Sequence, residues 1–576
     1  MATGLTYEAP LKLKVAIESY EKVNESGMKK LIEVQEKEIY LAHFPLLTEN
    51  GTLAINGVEK IFDAQLRRAP GVYFFRNHQK SGHPNKIEFL ARIVPNRGER
   101  LTFELDKSGF INARIRHRLK VSAATLLLAF GYSPQELLNE FYEKDIVYFK
   151  PNEVKRDDVP TLFIDQSFFD VLFNPQNASS EEKGDLNLNG DQRTWKVERE
   201  EKIAIEAFHF YGRYAARPVF GDNTGALILD LNEEFTEKIY FSALAAGVSE
   251  IHLLRVNLTN GDSFIRDSVA KEDLMSQYEA LKRLGLKIRG ARPKNLLQVT
   301  PILHQMFFNA NNYDLSPAGR KALNYRVKSS IEGESDQTFL SRADVLAVVK
   351  ELKRLKDLDY QGDDLNHLRA FKVLTLGELI DKRCRLALKR FAKTLKRRLN
   401  KSSNSNLSLS FEEIFAPNHF WLSLKNLFAT SSLFQPIDQN NPLAIIAHHR
   451  RLSTLKPTLP ELGKFESPAL EPYKLTNFAW VNGHPSHLGR VCPLDSPLGP
   501  NFGHVVSLAA YARITQDGFI ETPFRLVENG VPTLKVAYLS LLEESESPIA
   551  LSNAPLDKNG HFLSQLVPCR LRARRS

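Results

Sequence analysis

Hydrophobic and polar positions change rhythm several times along the 576-residue chain. Residues 12–35 alternate apolar and charged groups with no clean period, and Glu36–Leu41 then reads as a strand. Short strands are predicted at Thr52–Ile55, ahead of the Asn56-Gly57 turn signal, and at Gly71–Phe75. Two helices follow, over residues 122–132 and from Ser133 to Leu138. The second has Ser133 as N-cap and Pro134 at its first position. Residues 177–194 have loop composition. Beyond them Ala226–Leu229 reads as a strand and Leu274–Leu284 as a helix. The region 363–400 is helical, with Leu388, Phe391, Leu395 and Leu399 on one face. Lys401–Asn406 is a polar linker, Pro/Gly-rich loops fill 436–503, and the tail is strand-rich, including Lys535–Leu539. Neither an internal repeat nor a heptad is visible. The mixture implies an α+β, multidomain chain.

Composition narrows the class. Hydrophobic residues make up 43% of the chain, too many for global disorder. The length allows about three or four domains. A formal charge of +9 permits a nucleic-acid partner without requiring one. Three scattered cysteines, Cys384, Cys492 and Cys569, argue against a disulfide framework or a zinc site and for a reducing, cytoplasmic setting. No run of about 18 apolar residues is present, and no basic-then-apolar leader follows Met1. Charge is concentrated locally. From Lys382 to Lys401, ten of twenty residues are Lys or Arg and none is acidic. Such a helix can bind phosphates, or it can be a solvated face or one that packs on an acidic partner. Arg114, Arg116, His117 and Arg118 make a second basic group with the same two readings.

Residues 484–503 are the densest in chemistry. Four prolines and three glycines stiffen a segment that also holds His484, His487, Arg490, Asp495 and Asn501. Rigid polar loops of this kind are usually functional. The two histidines lack a carboxylate or cysteine cluster at ligand spacing, so no metal site is expected. Phosphate-binding glycine loops and nucleophile elbows are missing too.

His484-Pro-Ser-His-Leu-Gly-Arg-Val-Cys-Pro493, Pro497-Leu-Gly-Pro-Asn-Phe-Gly503 and Gly518-Phe-Ile-Glu-Thr-Pro-Phe-Arg525 resemble segments of the β subunit of bacterial multisubunit RNA polymerase. Further segments resemble the family in collinear order. They are Thr48–Gly51, Ile55–Gly57, Gln65–Val72, Phe130–Ser133, Asp314–Arg320, Leu376–Leu379, Asp438–Leu443 and His448–Ser453. The resemblance implies a protrusion-like domain from 1–72 and 364–430, an inserted lobe at 73–363, and a fork and rifamycin-pocket region at 431–576. It also implies that Gln435, Asp438, His448, Arg451, Ser453, Pro497 and Asn501 line an RNA and rifamycin pocket. Gln435 and Asn501 would hydrogen-bond to the RNA backbone, and Arg451 would meet phosphate or brace the wall. Arg67, Arg68, Arg450 and Arg490 are further candidates for nucleic-acid contact.

The expected partners are DNA, RNA, the catalytic large subunit, α subunits, a sigma factor and a separate C-terminal portion of β if the subunit is split. No cofactor is expected on this chain. The catalytic Mg²⁺ would sit on the large subunit, so the chain alone should not polymerise RNA. Some positions depart from the family. A Gly-Pro-Gly-Gly turn and an Arg-Glu-Arg loop have no counterpart between Leu455 and His484, Leu498 replaces a pocket glutamate, and Arg369-Ala-Phe-Lys372 keeps only part of a basic run. The tail Arg570–Ser576 matches no family segment. A second reading therefore stands beside the first: a truncated, divergent β paralogue, inactive or competing with authentic β. The expected location is the bacterial cytosol or nucleoid, or an organelle.

Overall fold

A computed structural model describes residues 4–22, 29–76, 87–106, 109–115, 119–149, 160–165, 194–197, 200–223, 225–256, 264–272, 276–289, 299–327, 336–364, 366–404, 411–415, 418–453, 483–496, 503–564 and 566–570. The expected loop is thus outside the described residues up to 193. The chain divides into two compact units, residues 1–69 with 364–576, and residues 70–363. Among the described residues no helix is long and apolar enough to cross a membrane.

The first leg opens with a long hairpin, β1 (Glu8–Lys22) and β2 (Lys29–Pro45). The sequence reading found no period over 12–35, and the structure corrects it. Leu11, Leu13, Val15 and Ile17 do alternate at the strand period of two. Register shifts between Leu11/Lys12 and Ser19/Tyr20 leave Leu41 and Ile32 unmatched on β2, and each extra residue reverses the phase of the pattern. Next come β3 (Leu53–Ile55), β4 (Val58–Phe62) and β5 (Ala64–Arg68). The Asn56-Gly57 turn between β3 and β4 holds both residues at positive φ, +50° and +78°, as a tight hairpin needs.

The inserted unit starts with an antiparallel meander: β6 (Gly71–Arg76), β7 (Ile87–Val94), β8 (Leu101–Asp106), β9 (Ile111–Ile115) and β10 (Leu119–Ser122). The wholly buried α1 (Ala123–Ala129) follows, then α2 (Pro134–Phe141), whose Ser133 and Glu136 form a reciprocal capping box. A six-stranded sheet takes β11 (Glu143–Tyr148), β12 (Thr161–Asp165), β13 (Thr194–Val197), β14 (Glu200–Glu206), β15 (Tyr214–Ala215) and, beyond the small pair β16 (Val219–Phe220) and β17 (Leu227–Leu229) and helix α3 (Glu237–Ala245), β18 (Glu250–Arg255). Helices α4 (Phe264–Glu272), α5 (Gln277–Arg289), α6 (Val299–Phe307), α7 (Ser316–Arg326) and α8 (Arg342–Asp357) complete the unit. The expected helix over 274–284 is in fact α5, which begins later and runs longer. Arg320, from one of the family-like segments, is buried. It holds Asp344 through two bonds of 2.7 and 3.0 Å and donates to the carbonyls of Gln337 and Phe339, so that segment serves packing. Arg114, read as part of a basic group, is paired with Glu104 at 2.6 Å; residues 116–118 are outside the described residues.

The return leg rejoins the first unit. β19 (Phe371–Leu374) pairs with β5, and α9 (Leu376–Asn404) then runs as one 29-residue helix. With α10 (Phe411–Phe415) and α11 (Asn418–Thr430) it packs around a core shared with Leu41, Ile55 and Phe434. The face of α9 that enters this core is Leu379, Ala387 and Phe391, with Cys384 and Leu395 against it. Leu388 and Leu399, expected on that face, are exposed. They lie about 60° to 80° from Phe391 around the axis, and the core is narrower than the apolar pattern. β20 (Phe434–Pro436), α12 (Pro442–His449), β21 (Arg451–Ser453), β22 (Val505–Ser507), β23 (Arg513–Ile514), β24 (Ile520–Glu528), β25 (Val531–Leu539) and α13 (Leu541–Glu544) follow.

Candidate functional site

Two small sheets meet at a single residue. β20 pairs with β4, setting Phe434 opposite Phe62 and Gln435 opposite Ile61. β21 runs parallel to β5, with Leu452 opposite Ala64 and Ser453 opposite Gln65. Asp63 links β4 to β5 and anchors the junction by donating its backbone N–H to the Leu433 carbonyl at 2.8 Å. Between β20 and β21, α12 starts where Asn441 caps it, Oδ1 accepting from the Ala444 N–H at 2.8 Å, with Pro442 at the first helical position. Asp438 folds into an Asx turn, its Oδ1 accepting from the Asn440 N–H at 3.1 Å. Its backbone N–H donates to His448 Nδ1 at 3.3 Å, tying the loop to the end of α12.

Gln435, Asp438, His448, Arg451 and Ser453 therefore share one neighbourhood. Pro497 and Asn501 lie outside the described residues. Sequence reasoning missed Asp63. Burial pushes its carboxyl up to about 6, against the opposing pull of Arg451 and of the Gln65 amide, which donates to Oδ2 at 3.2 Å. The other oxygen, Oδ1, is buried and has no hydrogen-bond partner among the described residues, as is also true of His448 Nε2. Burial, followed by the Arg451 charge, lowers the His448 pKa, with Asp438 pulling the other way. The junction thus combines neutral donors and acceptors with two carboxyl groups, the buried Asp63 and the half-buried Asp438, and the half-buried Arg451 guanidinium. It can orient a hydrogen-bonding ligand. The signal for Asp63 was available, since a lone carboxylate interrupts Ile61-Phe62 and Ala64-Gln65-Leu66.

The arginine candidates separate. Arg68 stacks on Phe371, its guanidinium carbon 4.4 Å from the ring centroid, and neighbouring Arg67 is half-buried on β5. Arg450 and Arg490 are both engaged within the chain. The Arg450 guanidinium donates to the carbonyls of Ala509, Ala510 and Ala512, bracing the turn before β23. Arg490 is 1% exposed, bonds the Ile520 and Leu539 carbonyls at 3.1 and 2.9 Å, and pairs with Glu544 at 2.7 Å. A phosphate could reach it only by dismantling that packing.

The histidines before it are also engaged. His484 spans Asp364 (Nε2 to Oδ2, 2.8 Å) and the Ser486 hydroxyl (Nδ1 to Oγ, 2.7 Å), and that hydroxyl accepts the Leu368 N–H at 2.9 Å. Burial and the neighbouring His484 push the His487 pKa down to about 4. Gly489 has φ of +71°, and a Cβ there would come within 2.7 Å of Thr522 Oγ1, which donates to its carbonyl at 2.8 Å. Among the described residues no group of three or more His, Cys, Asp or Glu is arranged to hold a metal ion.

Two family models match the chain, "RNA polymerase Rpb2, domain 3" at residues 476–514 and "RNA polymerase beta subunit external 1 domain" at 524–575. Among curated proteins, the DNA-directed RNA polymerase subunit beta of Syntrophotalea carbinolica is 33% identical over 575 residues, which are 98% of this chain and 40% of that protein. The subunit of the same name from Desulfatibacillum aliphaticivorans is 34% identical, over 99% of this chain and 41% of its own length. The chain spans about two fifths of the length of the curated relatives it matches.

Proposed function

We propose, from a resemblance to the β subunit of DNA-directed RNA polymerase that extends along nearly the whole chain, that this protein is a component of such an enzyme, contributing part of the wall that holds template and transcript. The observation that carries the reading is the junction around Asp63, where five of the seven residues expected to line the RNA and rifamycin pocket gather, Gln435, Arg451 and Ser453 on paired strands and Asp438 and His448 in the loop and helix between them. A surface of hydrogen-bonding groups with a single guanidinium suits RNA whose register must shift at each addition step, because it orients the backbone without clamping it. Gln435 and Asp438 would supply polar contacts, Arg451 a partly screened positive charge, and the Asn441-capped helix the rigidity. Bond formation would belong to Mg²⁺ on a catalytic large subunit, and DNA, RNA, α subunits, sigma factor and the remainder of β would be the partners.

The test is co-expression of the tagged chain with a catalytic large subunit, α subunits and the downstream part of a β subunit. Capture of all of them, with template-dependent RNA synthesis that requires this chain, is the expected result. A chain that emerges alone would overturn the assignment. A second reading, a divergent β paralogue that competes with the authentic subunit, is favoured by the missing turn and charged loop between Leu455 and His484 and by Leu498. Displacement of full-length β from a core enzyme without synthesis would decide for it.

A further inference from the structure

Residues 484–492 turn their polar groups inward, and the polymerase reading gives them no task. What those groups reach is one sheet. Its strand order is β19-β5-β21-β22, so β5 and β21, which carry Gln65, Arg451 and Ser453, are the inner pair. The segment reaches both outer strands. Beside β22 it runs antiparallel, with Val491 bridged to Leu508 and the Cys492 N–H donating to the Ser507 carbonyl at 2.9 Å. Just ahead of β19, Ser486 Oγ accepts the Leu368 N–H. Arg490 and Gly489 also hold the start of β24, through the Ile520 carbonyl and Thr522 Oγ1. The turn into β24 closes the circuit. There Gly518 is buried beside the exposed Asp517, and its carbonyl accepts the Val373 N–H of β19 at 2.7 Å. We propose that residues 484–492 and Gly518 form a clamp across this sheet, positioning Gln65, Arg451 and Ser453 at the candidate site.

The clamp acts where the sheet would otherwise have open edges. An outer strand presents N–H and C=O groups with no strand beside them. Here Val373 and Ser507, one on each edge, are both bonded from outside. A shift of β19 passes to β5 through Val373 opposite Leu66 and Leu374 opposite Gln65, and from β5 to β21 through Gln65 opposite Ser453. Gly518 makes the contact possible only for glycine. Its φ is +88°, and a Cβ would lie 2.5 Å from the Val373 carbonyl oxygen, a backbone atom that yields only if the strand moves. The turn cannot back away easily. The Gly518 N–H is bonded to the Thr515 carbonyl at 2.9 Å, and the Thr515 N–H to the Phe519 carbonyl at 2.8 Å. That the positioned side chains meet a transcript rests on the polymerase reading; the clamp itself does not.

Hydrogen exchange of the full chain, read by mass spectrometry, tests it in Gly518→Ala and Gly518→Asn. Asparagine tolerates positive φ far better than alanine, but both bring a Cβ against Val373. Both variants should therefore speed exchange in peptides covering 64–66, 371–374 and 451–453 by about tenfold or more, while residues 70–363 keep the parent's rates. Phe391→Ala, which weakens the core around α9, should instead speed exchange most over 376–404 and 418–430. Unchanged exchange at 64–66 and 451–453 overturns the proposal, because the inner strands are then indifferent to the turn. Acceleration in the alanine variant alone also overturns it and reduces Gly518 to a conformational need of its own turn. If the Gly518 variants do not fold, Thr522→Val, which removes the hydroxyl bonded to the Gly489 carbonyl, should give the same local pattern; uniform acceleration across residues 1–69 and 364–576 would count against the clamp. Failure of the chain to enter a polymerase would refute the functional reading and leave these exchange results standing.

Discussion

Asp63 shows how one side chain can set the electrostatics of a junction. Its ordinary pKa is near ~4, and burial raises it to about 6 in the folded chain. Folding therefore favours the protonated acid, and the folded state holds more protons than the unfolded one between those two values. Stability from this group is fully present below about pH 4, falls as pH rises, and is lost above about pH 6. The loss approaches ~3 kcal/mol, two units at 1.36 kcal/mol each. Asp63→Asn should accordingly stabilise the chain at pH 8, with the advantage shrinking toward pH 4. Denaturation midpoints across that range check this, and a pH-independent difference would rule out titration of Asp63 as the cause. His487 has the opposite sense. Its lowered pKa means that stability present above about pH 6.5 is lost as pH falls toward 4. Local chemistry of this kind was only partly legible. The Asn441-Pro442 helix start is written in adjacent residues, whereas the fate of Arg490 depends on Glu544, 54 positions away. A motif names the residue types; the distant partner decides whether an arginine faces a ligand or the core.

Elements tell the same story in patterns. The Ser133-Pro134 start of α2 and the Asn56-Gly57 turn follow from backbone preferences confined to a few residues, so sequence is sufficient for them. Of the β1–β2 ribbon only Glu36–Leu41 was read as strand; the rest was missed because bulges reverse the phase of its alternation, and no fixed window survives such a reversal. In α9 the helix was legible but its buried face was drawn too wide. Phe391 is 5% exposed and Leu388 is 41% exposed, although both were assigned to one apolar stripe. Phe391→Ala should destabilise by about 3–5 kcal/mol, while Leu388→Ala should change stability by no more than about 0.5 kcal/mol. Equal costs in urea titrations would mean that the helix is rotated from the orientation described.

For the whole molecule, continuity in sequence and continuity in space diverge. Residues 1–69 and 364–576 share one unit, and Pro70–Asp363 forms the other with two apolar cores of its own. The insert closes on itself. The Asp363 N–H donates to the Phe74 carbonyl at 2.7 Å, the Phe74 N–H donates to Asp363 Oδ2 at 2.8 Å, and Arg326 holds Oδ1 of the same carboxylate at 2.9 Å. A stretch whose first strand is hydrogen-bonded to its last residue loses little chain entropy by being cut from its flanks. Residues 70–363 expressed alone should thus fold, giving dispersed amide resonances and cooperative loss of near-ultraviolet dichroism on heating. Asp363→Ala within that fragment should weaken it by removing a buried acceptor of a backbone N–H and of Arg326, at a cost on the order of 3 kcal/mol. A fragment with collapsed, undispersed spectra would mean that its cores depend on the flanking unit, and the division of the chain would then describe contact density without marking independent folding.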